Sequence, residues 1–394
     1  MVLPRLATRY VLPLFLPLAG CAHVSPPVAS PGEMLAYELT LAVSPQASWA
    51  GWHGGAGEES GIYLQPLDED GVLQGQSLRL SSEGKTFAYE PDLILAGGSP
   101  VAAWYQKNPF TNELSAWLAR LAPSGQRAWL VPLEQGADWS RNPVVRQAGD
   151  RLLVAWIGQP SEGTSARDPA IVYREFSLAG KPLTPPREVG RADRDTWNLN
   201  ATLAGGAMVL VYDAAGASEV NELQLIEVTG KGARQVQLTP DDGHASLYPD
   251  LQVNDAGIAA LTWFDERDGN REVYLSVGPL ADFLAGHMPP PIRVTHGEGE
   301  SIGAYLAWNG DRIGLVWSDE AGGERRIFAQ GFDSAGKPLG AARQLSNGPG
   351  QSSIPAIRAS GEGFLVAWNH YEMEGTGGHA QAIWSRPQIA RFDP

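Results

Sequence analysis

The residues whose types could do chemistry crowd into segments that lead into a series of short apolar strands. They are Tyr89, Glu90, Asp92, Arg141, Asn142, Trp197, Asn198, Asn200, Tyr248, Asp250 and Tyr305. Flat rings stack on sugars or peptides and amides fix orientation, so the set reads as a candidate binding face. Glu90, Asp92 and Asp250 are also the acids from which a glycan-cleaving pair could be drawn, because that reaction needs two carboxylates across a bond. Taken singly, each residue also reads as a strand cap or turn former, a common place for Asn and Asp.

A second group of oxygen ligands lies at Asp265, Asp268, Asn270 and Glu272. Oxygen-rich loops hold Ca²⁺. The spacing is not that of an EF-hand, and Asp-Gly and Gly-Asn are ordinary hairpin turns. The turn is the preferred reading, with Asp265, Asp268 and Asn270 kept as a weak Ca²⁺ candidate. Gly-x-Ser-x-Gly, His-Glu-x-x-His and Walker sequences are missing from the chain, so no catalytic residue is assigned and no cofactor is expected. The seven histidines show no pair at metal-ligand spacing.

The chain holds one cysteine, Cys21. It cannot form an internal disulfide or a Cys-based metal site. Ahead of it, Arg5 and Arg9 precede a short apolar run, Val11 to Leu18, and then Leu18-Ala19-Gly20-Cys21. A basic start, a brief apolar stretch and small residues before the cut make a signal peptide, too short to span a bilayer. Leu-Ala-Gly-Cys resembles the lipobox of bacterial lipoproteins. The resemblance implies cleavage before Cys21, acyl chains on that residue, and attachment to a membrane. Ala22 follows the cysteine, which by the family's sorting rule implies the outer membrane of a Gram-negative cell. Residues 1–20 are then the leader, 21–33 a proline-rich tether, and 34–394 the folded part. Loss of the leader leaves 27 basic residues against 44 acidic ones. A surface so acidic repels phosphate backbones and excludes nucleic acid as a partner.

An internal repeat sets the fold. Apolar strands ending in an aromatic recur at Trp52, Trp104, Trp156, Tyr212, Trp263, Trp317 and Trp368, at intervals of 52, 52, 56, 51, 54 and 51 residues. Ala179-Gly180-Lys181-Pro182-Leu183 recurs as Ala335-Gly336-Lys337-Pro338-Leu339 in phase with them. Each unit reads as four short strands with turns between, the pattern of propeller blades. The expectation is an all-β, seven-bladed β-propeller, with six blades as the alternative count. The seven aromatics are expected to be core, filling the gaps between blades. The seventh unit runs out of sequence before a fourth strand, and Met34 to Leu39 is expected to supply it, joining the two termini. Ala281 to Pro291 reads as a longer connection with one helical turn.

Trp263-Phe264-Asp265-Glu266-Arg267-Asp268-Gly269-Asn270-Arg271-Glu272-Val273-Tyr274 resembles the Trp-x-Asp-x-Arg-x-Gly-Asn-x-x-Ile-Tyr hairpin of TolB-like bacterial cell-surface propellers. Trp317-Ser318-Asp319 keeps the first half, and the other units depart further. The resemblance implies fold and envelope location, not an activity. Sialidase-like propellers carry Asp boxes and three substrate-gripping arginines. No Asp box is present, and Arg141, with Arg191 and Arg194 nearby, does not compose a triad. The functional expectation is a lipid-anchored envelope propeller that binds a protein or surface polymer without catalysis. The alternative is a sialidase-like or other glycan-cleaving enzyme using carboxylates in the funnel.

Overall fold

A computed structural model describes residues 35–55, 60–84, 86–134, 139–158, 169–193, 195–230, 232–374 and 381–394. The leader, Cys21 and the tether lie outside the described residues, as does most of the long loops at 158–168 and 371–379.

The described strands form seven small antiparallel sheets, arranged as a seven-bladed β-propeller. The first blade is β1 (Leu35–Val43), β2 (Ser48–Gly55), β3 (Gly61–Leu67) and β4 (Leu78–Arg79). The second is β5 (Phe87–Ala96), β6 (Ser99–Lys107), β7 (Leu114–Leu121) and β8 (Arg127–Pro132). The third is β9 (Ser140–Ala148), β10 (Arg151–Gly158), β11 (Ala170–Ser177) and β12 (Arg187–Arg191). The fourth is β13 (Asn200–Ala204), β14 (Ala207–Ala215), β15 (Asn221–Thr229) and β16 (Gly232–Gln237). The fifth is β17 (Ser246–Val253), β18 (Ile258–Asp265), β19 (Glu272–Pro279) and, after the short helix α1 (Leu280–Leu284), β20 (Ile292–Arg293). The sixth is β21 (Ser301–Asn309), β22 (Arg312–Asp319), β23 (Arg326–Asp333) and β24 (Arg343–Gln344). The seventh has three strands, β25 (Gln351–Ser360), β26 (Gly363–Glu374) and β27 (Gln381–Phe392).

The recurring aromatic sits on the second strand of every blade, and each one packs into the interface with the preceding blade. Trp104 joins Leu64 and Leu93 between blades one and two. Trp156 joins Val101 and Leu118 between two and three, and Tyr212 joins Ile157 and Ile171 between three and four. Trp52 meets Leu365 and Ala367 across the junction of the last blade with the first. All seven aromatics are buried. Trp263 donates its indole N–H to Asp265 at 3.0 Å and Trp317 to Asp319 at 3.4 Å. Among the described residues the indole nitrogens of Trp52, Trp104, Trp156 and Trp368 have no such acceptor. The Trp-x-Asp pair is therefore an indole-satisfying device. In the third blade its place is taken by Gly158, where any Cβ would lie 2.7 Å from the Trp156 nitrogen.

The expected fourth strand for the last blade is corrected. Residues 35–39 belong to β1, the inner strand of the first blade, and pair with β2. Four other blades explain why the seventh ends early. In each, a hydroxyl that follows the outer strand accepts from one third-strand N–H. Ser81 takes that of Ile62, Thr239 that of Leu223, Thr295 that of Val273 and Ser346 that of Ile327. The matching position on β27, one residue before the partner of Trp368, is Pro387. Proline has no N–H to give, and it is tolerated on edge strands for that reason. Closure runs instead through side chains. Asn369 accepts from Leu39 N at 3.3 Å and donates to Ala36 O at 2.8 Å, and Ser385 also donates to Ala36 O.

Candidate functional site

The inner strands carry a shared irregularity. The ladder between first and second strands slips at Tyr37/Thr40, Tyr89/Asp92, Leu247/Asp250, Ile302/Tyr305 and Ser353/Ala356, and opposite Ala155/Ile157 in the third blade. At each slip one residue is left-handed. These are Glu38 (φ 51°), Glu90 (49°), Asn142 (47°), Tyr248 (56°), Gly303 (61°) and Ile354 (55°). Pro91, Pro143, Pro249 and Pro355 follow four of them, where a missing N–H is harmless because a bulge leaves a residue unpaired. Only glycine visits this region without penalty, and other residues lose about 1–2 kcal/mol there. Backbone strain repeated at one level of the ring, on residues as unsuited as Glu and Tyr, motivates a search for function at that level. The fourth blade has an unbroken register from Asn200, and its inner strand holds no left-handed residue.

The bulges gather Glu38, Glu90 and Asn142 at one mouth of the central channel. The Glu38 carboxylate accepts from the backbone N–H of Glu90 at 2.9 Å, and the Asn142 amide donates to the Glu90 carboxylate. His53 Nδ1 lies 2.9 Å from Glu38. Rings continue the cluster. Tyr37 stacks on His53 at 5.5 Å, His53 meets Tyr89 edge-on at 5.5 Å, Tyr89 stacks on Tyr105 at 5.3 Å, and Tyr371 lies 6.1 Å from Tyr37. Burial and the neighbouring Glu38 charge push the Glu90 carboxyl well above its ordinary range, against the opposing pull of Arg141 and Asn142. Burial, and then the charges of Glu90 and Glu38, raise the Tyr105 phenol. The same two acids act on Tyr248 and Tyr305 in blades five and six, whose phenols are raised chiefly by burial.

Of the residues singled out from sequence, Tyr89, Glu90, Asn142, Tyr248 and Tyr305 share this mouth. Arg141 acts on Glu90 through its charge. Its side chain is fully buried, sandwiched between Trp139 (4.3 Å) and Trp197 (3.5 Å), and donates to Thr196 O. Burial lowers its guanidinium to about 10. Asn198 donates to Asp213 at 3.1 Å and Asn200 to Pro249 O at 2.8 Å.

Asp92 and Asp250 each reach across to the next blade. Asp92 accepts from Val145 N and from Arg146, each at 2.7 Å, and Asp250 accepts from Leu306 N at 2.9 Å. Asp213 caps Tyr248 N at 2.9 Å in the same manner. An acid on one blade thus holds an inner-strand N–H of the next.

The weak Ca²⁺ candidate loop is held by hydrogen bonds and an ion pair. Asp265 accepts from Trp263, Ser246 and three groups of Arg267. Asp268 pairs with Arg293 at 3.0 Å, and Asn270 donates to Gly297 O and Gly299 O. These side chains are engaged by donors, and among the described residues no group of three or more His, Cys, Asp or Glu is placed to hold a metal ion.

Sequence reasoning missed Glu38, His53, Tyr37, Tyr105 and Tyr371. The signal was present: Tyr37-Glu38 stands 52 residues before Tyr89-Glu90, in phase with the repeat. Assigning that segment to the seventh blade hid it.

No family model matches the chain, and no curated relative matches it. Solved structures do. A protein of unknown function from Dyadobacter fermentans aligns over 92% of this chain and 96% of its own, at 11% identity and a TM-score of 0.54. A polysaccharide lyase of the ulvan lyase family aligns over 85% and 91%, at 9% identity and 0.58. The α-L-arabinanase of Penicillium chrysogenum aligns over 77% and 92%, at 14% identity and 0.53. At such identities the likeness is one of architecture: these proteins and this chain are built as β-propellers.

Proposed function

We propose that the chain is a lipid-anchored envelope propeller whose channel mouth binds a surface polysaccharide. The observation that carries this reading is the set of in-phase bulges that bring Glu38, Glu90, Asn142 and Tyr248 to one mouth beside His53 and several tyrosines. Sugars are recognised by such a mixture: rings supply flat apolar faces, and acids and amides take the hydroxyl hydrogen bonds. Two solved propellers that the chain resembles in fold are described as an arabinanase and a polysaccharide lyase, which agrees with a polysaccharide ligand. The anchor rests on the Leu18-Ala19-Gly20-Cys21 sequence.

A second reading, cleavage of that polymer, draws on Glu90. An acid kept from dissociating, with a second carboxyl in Glu38 beside it, is the raw material of general acid–base catalysis.

One set of measurements tests both. Purified protein is incubated with envelope polysaccharides, and binding is followed alongside release of reducing ends and unsaturated products. Retention on a polysaccharide without new ends supports binding alone. New ends that disappear in Glu90→Gln, with retention preserved, establish cleavage. Absence of retention on every polymer overturns the function. For the anchor, Cys21→Ser is expected to move the protein from the membrane fraction to the soluble one, and unchanged fractionation overturns it.

A further inference from the structure

We infer that the unit recognised at this mouth carries a free amino group, so that the polymer is one containing amino sugars with a charged ammonium. The inference rests on the polysaccharide reading and narrows it to a ligand class. Three observations carry it.

The mouth is an aromatic and acidic enclosure. Tyr37, Tyr89, Tyr105 and Tyr371 stand in ring contact with each other or with His53, and Glu38 and Glu90 lie among them. Ring faces carry negative potential and attract an ammonium, most strongly where water is thinned out.

The second observation is a missing donor. Asn142 is 8% exposed, its amide nitrogen is engaged with Glu90, and its carbonyl oxygen has no hydrogen-bond partner among the described residues. A buried acceptor without a donor has lost its water without gaining a hydrogen bond in return. Beside two carboxyl groups it forms a set of acceptors that asks for a group with several N–H donors. An ammonium, with three donors and no acceptor, matches that set.

The third is charge. Glu38 and Glu90 repel each other when both are ionised, and a cation between them removes that penalty. Arg141, whose charge acts on Glu90, is covered on both faces by Trp139 and Trp197 and is fully buried. It lies on the buried side of that acid's surroundings, where no ligand can stack on its faces. The formal net charge of −15 favours approach of a polycation over a polyanion.

Calorimetry with two matched probes tests the inference. Oligomers of glucosamine and of N-acetylglucosamine share a backbone and differ in whether the nitrogen is charged. The glucosamine oligomer is expected to bind, with affinity falling as salt rises, and the acetylated one to bind at least tenfold more weakly. Glu38→Gln, which keeps an acceptor for Glu90 N, is expected to weaken the glucosamine oligomer tenfold or more with an unchanged melting temperature. Tyr89→Leu is expected to weaken it and Tyr89→Phe to spare it. Equal binding of both oligomers overturns the amino-group inference while leaving polysaccharide binding in place. Binding of neither, with retention on a neutral or acidic polymer, does the same. Failure with every polymer tested removes the parent reading as well.

Discussion

Glu222 in the fourth blade and Glu272 in the fifth occupy one position on the third strand, yet only Glu272 meets an arginine. Both accept from a threonine that follows the outer strand, Thr239 and Thr295 respectively. Arg293 then pairs with Glu272 at 2.9 Å, whereas Gln237 stands at the matching place beside Glu222. Both glutamates are fully buried, and among the described residues one oxygen of Glu222 has no partner. Burial, with Asp242 and Asp241 nearby, pushes the Glu222 carboxyl up to about 7.

A pH dependence of stability follows from that asymmetry. A carboxyl raised in the folded state is protonated there while the unfolded chain has already lost its proton. Its contribution is intact below the unfolded value near 4.5 and is lost as pH rises towards 7. Asp213, raised to about 6 by burial, acts in the same direction. The melting temperature is expected to fall between pH 5 and pH 8. Glu222→Gln is expected to recover about 2 kcal/mol at pH 8 and little at pH 4.5. Denaturant melts of both proteins across this range measure the effect, and a parallel pH profile for the two would refute it.

Asp265 behaves in the opposite sense. It is 1% exposed and satisfies the Trp263 indole, the Ser246 hydroxyl and the Arg267 guanidinium together. Hydrogen bonds from Arg267 and Trp263 hold its carboxyl below the usual range in spite of burial. Asp265→Ala leaves these donors unanswered and is expected to destabilise by about 3 kcal/mol. Calcium is expected to leave the melting curve of the native protein unmoved. A clear rise in melting temperature with Ca²⁺ would reinstate the metal reading of this loop.

The repeat was legible because one aromatic per blade fills one inter-blade gap, so Trp104 or Trp263 could not drift without opening a cavity. The propeller follows from that spacing, and the seven sheets settle the count that the sequence left between seven and six. The site was only half legible. Glu90 and Asp92 are two residues apart and chemically alike, and nothing local says that Asp92 is tied to Val145 N and Arg146 while Glu90 is not. That distinction comes from the neighbouring blade. A left-handed Glu38 or Tyr248 is equally invisible, because the strain is imposed by the bulge and not by residue preference. The ring closure failed for a related reason: Pro387 removes the N–H that an outer strand would lock onto, and its meaning emerges only when it is aligned with Ile62, Leu223, Val273 and Ile327.

Closure through side chains predicts a weak seam. Asn369 is fully buried and answers the backbone N–H of Leu39 across the junction of the seventh and first blades. Asn369→Ala leaves that N–H without a partner, while Ser385 still serves Ala36 O. The expected loss is about 2 kcal/mol. Amide exchange should accelerate first in β1 and β27. Uniform acceleration over all blades would show that the ring opens as a unit and that this seam is no weaker than the rest.

Pro387 makes the final prediction. The seventh blade ends in a twelve-residue edge strand, whereas the outer strands of the other blades span two to six residues. A long edge is a template for pairing with another chain, and proline is one of the devices that blunt it. The exposed Arg386 beside it adds charge, its guanidinium 5.1 Å from the Trp384 ring. Pro387→Thr restores a backbone N–H and a strand-favouring side chain at the position where other blades receive their outer strand. The variant is expected to fold, since no ladder bond to β26 depends on the proline ring, and to self-associate at concentrations where the native chain is monodisperse. Sedimentation velocity across a dilution series distinguishes the two. Pro387→Thr combined with Arg386→Gln should associate further, because both guards are then gone. If neither variant shifts the distribution, the edge is protected by something other than the missing N–H, and the outer groove between Leu345, His370 and Ile389 becomes the place to look.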